Sequence, residues 1–128
     1  MKVLTLSIKQ KYFDEILSGV KKTEVREIRP NNFARYCRYL HKGIEYVNIE
    51  GIPEDDNEID IIPVKYDAIK LLTGEYKDKR PYIIIAVKDT KIYFLQDEKG
   101  EDVIYEVDGK EYIASEIEYE LGEVIDKC

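Results

Sequence analysis

The residues best suited to chemistry concentrate between positions 18 and 30, in the stretch SGVKKTEVREIRP. Alternation along a strand puts Glu24 and Arg26 on the same side, about 6–7 Å apart. The Arg26 guanidinium could bind a phosphate or a base edge, and the Glu24 carboxylate could accept hydrogen bonds from an exocyclic amine. Lys21 adds a charge or, if desolvated, a base. The same spacing also fits side chains that only pair with neighbours on adjacent strands.

The rest of the chain lacks the signatures of the common enzyme classes. It has no glycine-rich phosphate loop, no dinucleotide fingerprint and no GxSxG elbow. His41 is the one histidine, which argues against Ser-His-Asp and Cys-His catalysis. Cys37 precedes His41 by four residues, and two possible ligands are too few for a closed zinc site. We therefore predict free thiols at Cys37 and Cys128, no metal and no cofactor.

The charge of the chain is unevenly distributed along it. Residues 1–42 hold 10 Lys and Arg against 4 Asp and Glu, a net charge of +6, whereas the whole chain has a net charge of −7. The remaining residues therefore carry −13. A basic segment on an acidic body can attract an anion to one face. Chance segregation would produce the same numbers.

The length and hydropathy of the chain limit the number of domains it can form and the cellular compartment in which it is expected. At 128 residues the chain is expected to form one domain, 1–128. No apolar run approaches the roughly 18 residues of a membrane span. The first residues, MKVLTLSIKQKY, are too interrupted in hydrophobicity for a signal peptide. We therefore predict a cytoplasmic protein with no membrane partner.

Hydrophobic periodicity predicts two helices near the N-terminus. A strand at 3–8 precedes an amphipathic helix at 8–18, with Ser7 and Gln10 as a capping box and Gly19 as its stop. A strand at 23–28 follows, and then a second helix over 31–43.

Strands dominate the rest of the chain, apart from an acidic loop at 50–62. The predicted strands cover residues 44–49, 66–72, 82–88, 91–96, 102–107 and 117–121, and the final EVIDK is expected to form a turn or a short helix. Together these elements predict an α+β fold, a small β-barrel of about six strands or a strongly twisted sheet, with two N-terminal helices.

The stretch LSIKQKYFDEILSGVKKTEVRE resembles the N-terminal signature of the ASCH domain, a compact relative of the PUA RNA-binding fold. The family pattern is a strand, S-x-K, a helix ending in I-L-x-G, and then x-K-T-x-E-x-R. The matching residues lie within about the first 30 positions and are Ser7, Lys9, Tyr12, Ile16, Leu17, Gly19, Lys21, Glu24 and Arg26. The family's K-T is here Lys21-Lys22. Its threonine is displaced to Thr23, which points to the other face of the strand.

The resemblance implies a PUA-like β-barrel that binds RNA or a modified nucleoside or nucleotide in a cleft beside the first helix. Lys9, Lys21, Glu24 and Arg26 would line that cleft. One small ASCH subgroup hydrolyses N4-acetylcytidine and related amides with a lysine-activated threonine, which implies an amidohydrolase as the alternative. Lys21 matches its lysine, but Glu24 stands at the position of the nucleophilic threonine, and for that reason binding is favoured over catalysis.

A third possibility is an interaction module without a small ligand. It rests on the acidic strands, which are rich in tyrosine at Tyr93, Tyr105, Tyr112 and Tyr119. Tyrosine on half-buried strands usually serves packing.

Overall fold

Ten strands, two α-helices and one short 3-10 helix (Ile49–Gly51) are found in the part of the chain that the computed structural model describes, residues 1–74 and 80–128. The helices are α1 (Gln10–Leu17) and α2 (Phe33–Tyr36). The strands are β1 (Val3–Ser7), β2 (Thr23–Ile28), β3 (Cys37–His41), β4 (Ile44–Tyr46), β5 (Asp60–Pro63), β6 (Ala68–Leu72), β7 (Tyr82–Phe94), β8 (Ile104–Val107), β9 (Lys110–Ile113) and β10 (Ser115–Lys127).

Five of the strands form a curled half-barrel sheet in the order β1-β6-β7-β10-β2. The sequence predicts about six strands in one barrel, but the others form two smaller sheets, β4-β3-β5 and β8-β9. The predicted α+β class, with mostly strands and two helices, is confirmed. No helix among the described residues is long and apolar enough to cross a membrane.

The described residues divide into two compact units. The first unit comprises Met1–Glu24, Lys65–Thr90 and Tyr119–Cys128, and the second comprises Val25–Val64 and Lys91–Glu118. Each unit has buried apolar side chains of its own. In the first unit they are Leu4, Leu6, Phe13, Ile16, Ala68, Ile69, Leu71, Ile83, Ile85, Tyr119 and Leu121, and in the second Ile28, Tyr36, Cys37, Ile52, Val64, Ala114 and Ile117.

The first unit is organised by β6, which pairs in parallel with β1 and antiparallel with β7. The parallel register runs from Val3 opposite Ala68 to Ser7 opposite Leu72. β6 is almost continuously apolar, as expected for a strand covered on both faces. The strands predicted at 3–8 and 66–72 are therefore confirmed, with small shifts at their ends.

Helix α1 begins later than its sequence suggests. The residue at its N-cap is Lys9, without a side-chain cap, and the Lys9 carbonyl accepts the N–H groups of Tyr12 and Phe13 at 3.0 Å each. The predicted Ser7 capping box is wrong because Ser7 is the last residue of β1. The predicted stop is confirmed: Gly19 has a φ of +82°, a conformation that glycine adopts without steric cost.

The second predicted helix, over 31–43, is wrong beyond its first turn. Only Phe33–Tyr36 is helical, and Cys37–His41 forms β3, which pairs with β4 on one side and β5 on the other. Lys42 and Gly43 both have positive φ, so they form the two-residue turn of a hairpin instead of a helix end. Ladder hydrogen bonds along both edges of β3 outweigh the helical spacing of its apolar residues.

Other predicted boundaries also shift. The strands predicted at 82–88 and 91–96 form one continuous strand, β7, and the C-terminal turn or helix is part of β10. The predicted acidic loop at 50–62 contains the start of β5, and β9 was not predicted at all. Such short strands depend on partners that are distant in sequence, and local patterns do not reveal these partners.

Because β6 lies in the core of the first unit, shortening one of its buried side chains should lower the free energy of unfolding substantially. Leu71 is fully buried, so Leu71→Ala should lower the free energy of unfolding by about 2–5 kcal/mol. Val20 serves as the exposed control: it is 77% exposed, and Val20→Ala should change the free energy of unfolding by less than about 0.5 kcal/mol. Urea unfolding followed by circular dichroism measures both. Equal effects of the two substitutions would contradict the placement of Leu71 in the core.

Candidate functional site

Lys21 and Glu24 form an ion pair beside α1 in the first unit. The Lys21 ammonium lies 3.9 Å from Oε2 of Glu24, whose side chain is only 8% exposed. The Lys21 Nζ also lies 5.6 Å from the centroid of the Tyr12 ring. A main-chain bond from the Lys21 N–H to the Glu15 carbonyl, 3.0 Å long, holds the chain against the end of the helix. The structure thus brings together Lys21 and Glu24, two of the four predicted ligand-binding residues.

Lys9 and Ser7, which belong to the same sequence signature, lie at the start of α1. The Lys9 side chain is exposed, while its main chain serves as the N-cap of the helix. The Ser7 hydroxyl accepts a hydrogen bond of 3.2 Å from Nη2 of Arg80, and Arg80 also donates to the carbonyls of Leu72 and Thr73. Arg80 therefore ties the end of β1 to the end of β6, a contact that no sequence motif indicated.

Arg26 lies on the part of β2 that belongs to the second unit, and it is half-buried. The burial pattern along β2 alternates as predicted, with Glu24 and Ile28 buried and Val25 and Glu27 exposed. The placement of Arg26 toward a ligand stays a prediction.

The single histidine serves a charged cluster in the second unit. His41 is buried, and its Nε2 lies 2.9 Å from Oδ1 of Asp55. The Lys42 ammonium lies 2.9 Å from the other oxygen of Asp55, and the Asn57 N–H also donates to the carboxylate. These hydrogen bonds, first that from His41, hold the pKa of Asp55 well below its ordinary value. His41 is thus occupied in a hydrogen bond that joins β3 to the acidic segment at Asp55.

The buried cysteine, Cys37, lacks the properties of a reactive nucleophile. Cys37 is buried and Cys128 is exposed, and both are free thiols. Burial raises the pKa of the Cys37 thiol to about 11, against a smaller opposing effect of Arg38. Cys37 therefore stays protonated near neutral pH, where a thiol is a weak nucleophile. Within residues 1–74 and 80–128, no group of three or more His, Cys, Asp or Glu side chains is placed to hold a metal ion.

A groove with a volume of about 620 Å³ lies within the second unit. Its walls come from the turn after β2, from β3, from the segment after β4 and from all four residues of β9. The lining is mainly apolar and aromatic, and a volume of this size is typical of small-ligand pockets. The aromatic residues that line it are Phe33, Tyr39, Phe94, Tyr105 and Tyr112.

Stacked rings organise the groove walls. The rings of Phe33 and Tyr39 stack with centroids 4.7 Å apart, and those of Tyr105 and Tyr112 stack at 5.9 Å. The Arg29 guanidinium lies over Tyr105, with its Cζ 4.8 Å from the ring centroid. Burial and the nearby Glu50 raise the pKa of Tyr39, so its phenol stays neutral. Two of the tyrosines noted in the sequence, Tyr105 and Tyr112, thus line this groove.

Comparisons with protein-family models, with curated proteins and with solved structures returned no significant match.

The Asp55 cluster predicts a pH dependence of stability. The pKa of Asp55 is lower in the folded chain than its ordinary value of 3.8, so the carboxylate stabilises the fold above that value. This contribution is lost progressively as the pH falls from there toward the folded-state pKa. The difference in urea midpoint between the wild type and Asp55→Asn should therefore narrow between pH 5 and pH 2.

The matched control is Asp56→Asn, a substitution at the exposed neighbouring residue. It should leave the urea midpoint close to that of the wild type across the same pH range. A midpoint difference for Asp55→Asn that is constant from pH 5 to pH 2 would contradict the role of the carboxylate.

Proposed function

We propose that this chain is an ASCH-like domain of the PUA-like class that binds RNA or a modified nucleoside or nucleotide beside α1. The observation that carries the proposal is the buried Glu24 carboxylate, with the Lys21 ammonium 3.9 Å away. A carboxylate at such a place suits a ligand that donates hydrogen bonds, as the exocyclic amine of cytosine does.

The residues around the pair suit the other parts of a nucleotide. The Tyr12 ring is 41% exposed, and a base can stack on an exposed aromatic ring. Lys9 is exposed at the start of α1, where its ammonium can neutralise a phosphate. Residues 1–24 hold five lysines against three acidic residues, so this part of the first unit attracts anions.

Arg26 completes the proposed ligand set. It follows Glu24 by two residues on β2, and the alternation of a strand predicts the same side for both residues. Its guanidinium offers the planar pair of donors that suits a phosphate or a base edge. The proposed binding residues are therefore Lys9, Lys21, Glu24 and Arg26.

Substitution of the ligand-binding residues tests the proposal. A panel of nucleosides and short single-stranded RNAs, titrated by calorimetry, should contain a ligand that the wild type binds. Arg26→Ala should abolish that binding while the thermal unfolding midpoint stays nearly unchanged. Lys21→Ala should weaken binding about tenfold or more, since hydrogen bonds to charged groups contribute about 1.5–3 kcal/mol.

The matched control is Lys22→Ala, which removes the same charge from the adjacent, exposed position. It should leave the affinity nearly unchanged. Equal losses for Lys21→Ala and Lys22→Ala would indicate general electrostatic attraction instead of a site. The absence of any ligand in the panel would count against nucleoside recognition, and a large loss of stability in Arg26→Ala would assign Arg26 to structure.

A second candidate function is the hydrolysis of N4-acylcytidine-type amides by Lys21 and Glu24. The distance of 3.9 Å between them favours it, because the ammonium can hold the carboxylate as a general base for water. Attack of that water on the amide carbonyl would release cytidine and a carboxylic acid. Glu24 would then replace the threonine of the subgroup that the sequence resembles, in a different chemical role.

Chromatography of the products tests this second candidate. N4-acetylcytidine incubated with the wild type should yield cytidine, and the yield should fall to background in Lys21→Ala and Glu24→Gln. Lys22→Ala should retain the activity. No release of cytidine at high enzyme concentration would exclude the hydrolase and leave the binding proposal intact.

A further inference from the structure

Strand β9 of the second unit presents an open edge. Among the described residues, β8 is its one sheet neighbour, and the two strands form a hairpin with Val107 opposite Lys110. Asp108 and Gly109 both have positive φ, as in a two-residue hairpin turn. An open edge of this kind is a template for pairing with another extended chain.

The register shows which backbone groups point away from the hairpin. In an antiparallel pair, directly opposed residues alternate between hydrogen-bonded and non-bonded pairs. Val107 and Lys110 flank the turn and form a bonded pair, so Tyr112 is bonded to Tyr105. The N–H and C=O groups of Glu111 and Ile113 therefore point outward, two residues apart, as an added strand requires.

The outer edge of β9 faces the groove of about 620 Å³. All four residues of β9 line this groove, although alternate side chains of a strand point to opposite faces. Because residues from both faces of β9 line the groove, the groove runs along the edge of the strand. The backbone groups of Glu111 and Ile113 are thus open to a chain that lies in the groove.

The remaining walls supply apolar contacts to such a chain. Five of the lining side chains are large, apolar and between 38% and 51% exposed: Val47, Ile49, Ile61, Phe94 and Ile113. Apolar side chains that are clustered and exposed in this way mark interaction sites. The alternate side chains of an added strand would pack among them and against the stacked rings of Phe33 and Tyr39.

Charge indicates the kind of chain. The second unit holds 8 Lys and Arg against 17 Asp and Glu, a net charge of −9. The groove lining itself holds Glu50 and Glu111, both exposed, together with Lys110 and Arg29, whose guanidinium lies beside Glu27 and over Tyr105. The excess of negative charge therefore belongs to the surface of the unit around the groove. An acidic surface attracts cationic ligands and repels polyanions, and aromatic faces favour cations as well.

We propose that the second unit binds an extended, basic peptide segment of a partner protein, which adds to the edge of β9 as a third strand. Main-chain hydrogen bonds to Glu111 and Ile113 give this peptide its register. Its apolar side chains enter the groove, and its Lys and Arg side chains face Glu50, Glu111 and the surrounding acidic surface. This proposal uses neither Lys21 nor Glu24, and it does not depend on the nucleoside proposal.

Model peptides test the proposal on the full chain. The probe is a fluorescein-labelled octapeptide of alternating lysine and valine, and the comparison peptide replaces every lysine by glutamate. Binding is followed by fluorescence anisotropy and located by amide chemical shifts. The lysine peptide should bind, shift the amides of residues 110–113 and slow hydrogen exchange at Glu111 and Ile113, whereas the glutamate peptide should not bind.

A proline substitution separates strand addition from simple charge attraction. Glu111→Pro removes the outward N–H, and it keeps the β8-β9 ladder because that N–H takes no part in it. Glu111→Ala loses the same carboxylate and retains the N–H. Affinity for the lysine peptide should be at least tenfold weaker in Glu111→Pro than in Glu111→Ala, with unchanged shifts for the β8 amides in the free proteins.

Three results would overturn the proposal. One is equal affinity of the two Glu111 variants for the lysine peptide, because binding would then rest on charge alone. Another is that the amide chemical shifts of residues 110–113 do not change at millimolar concentrations of the lysine peptide. The third is a ten-nucleotide single-stranded RNA that shifts the groove residues where the peptides do not, which would make the groove a nucleic-acid site. If Glu111→Pro fails to fold, N-methylation of alternate peptide amides provides the same comparison on the wild-type chain.

Discussion

The first unit depends on the parallel pairing of β1 with β6. Parallel strands cannot be joined by a tight turn, and the residues of β1 pair with residues that lie 65 positions further along the chain, as Val3 does with Ala68. The pairing contributes buried apolar side chains from both strands, including Leu4, Leu6, Ile69 and Leu71. Because α1 follows β1 directly, the same pairing sets where α1 begins, and so the place of Lys21 beside the end of the helix.

In each unit a buried ionisable side chain is paired with a nearby polar side chain. Glu24 is buried with Lys21, three residues away, and His41 is buried with Asp55, fourteen residues away. Lys21 lies near the buried Glu24 carboxylate and offsets part of the free energy of its desolvation, whereas the carboxylate of Asp55 is exposed and it is His41 that is buried. Asp55 accepts from His41, Lys42 and a main-chain N–H, and Glu24 pairs with Lys21, whose Nζ lies 5.6 Å from the centroid of the Tyr12 ring.

The two candidate surfaces differ in chemistry as well as in position along the chain. The one beside α1 combines lysines with a buried carboxylate, a set that suits a nucleotide. The groove of the second unit combines exposed aliphatic side chains, stacked rings and an open strand edge within an acidic surface. The two proposed ligands, a nucleotide and a basic peptide, therefore carry opposite charges, and a ligand that suits one surface would be disfavoured at the other.

The amino-acid sequence by itself determined the elements whose signals are local. Alternating apolar residues defined β1 and β2, a glycine that tolerates positive φ ended α1, and short spacing brought Lys21 near Glu24. It did not determine β3, because Cys37–His41 carries helical spacing and becomes a strand only through partners on both edges. Likewise, the sequence indicates that Tyr105 and Tyr112 lie on or near strands, but it does not predict the groove that they line. That groove forms only where β9, β3 and the turn after β2 come together. Only the tertiary structure decided these features, since edge pairing and grooves arise from contacts between residues far apart in sequence.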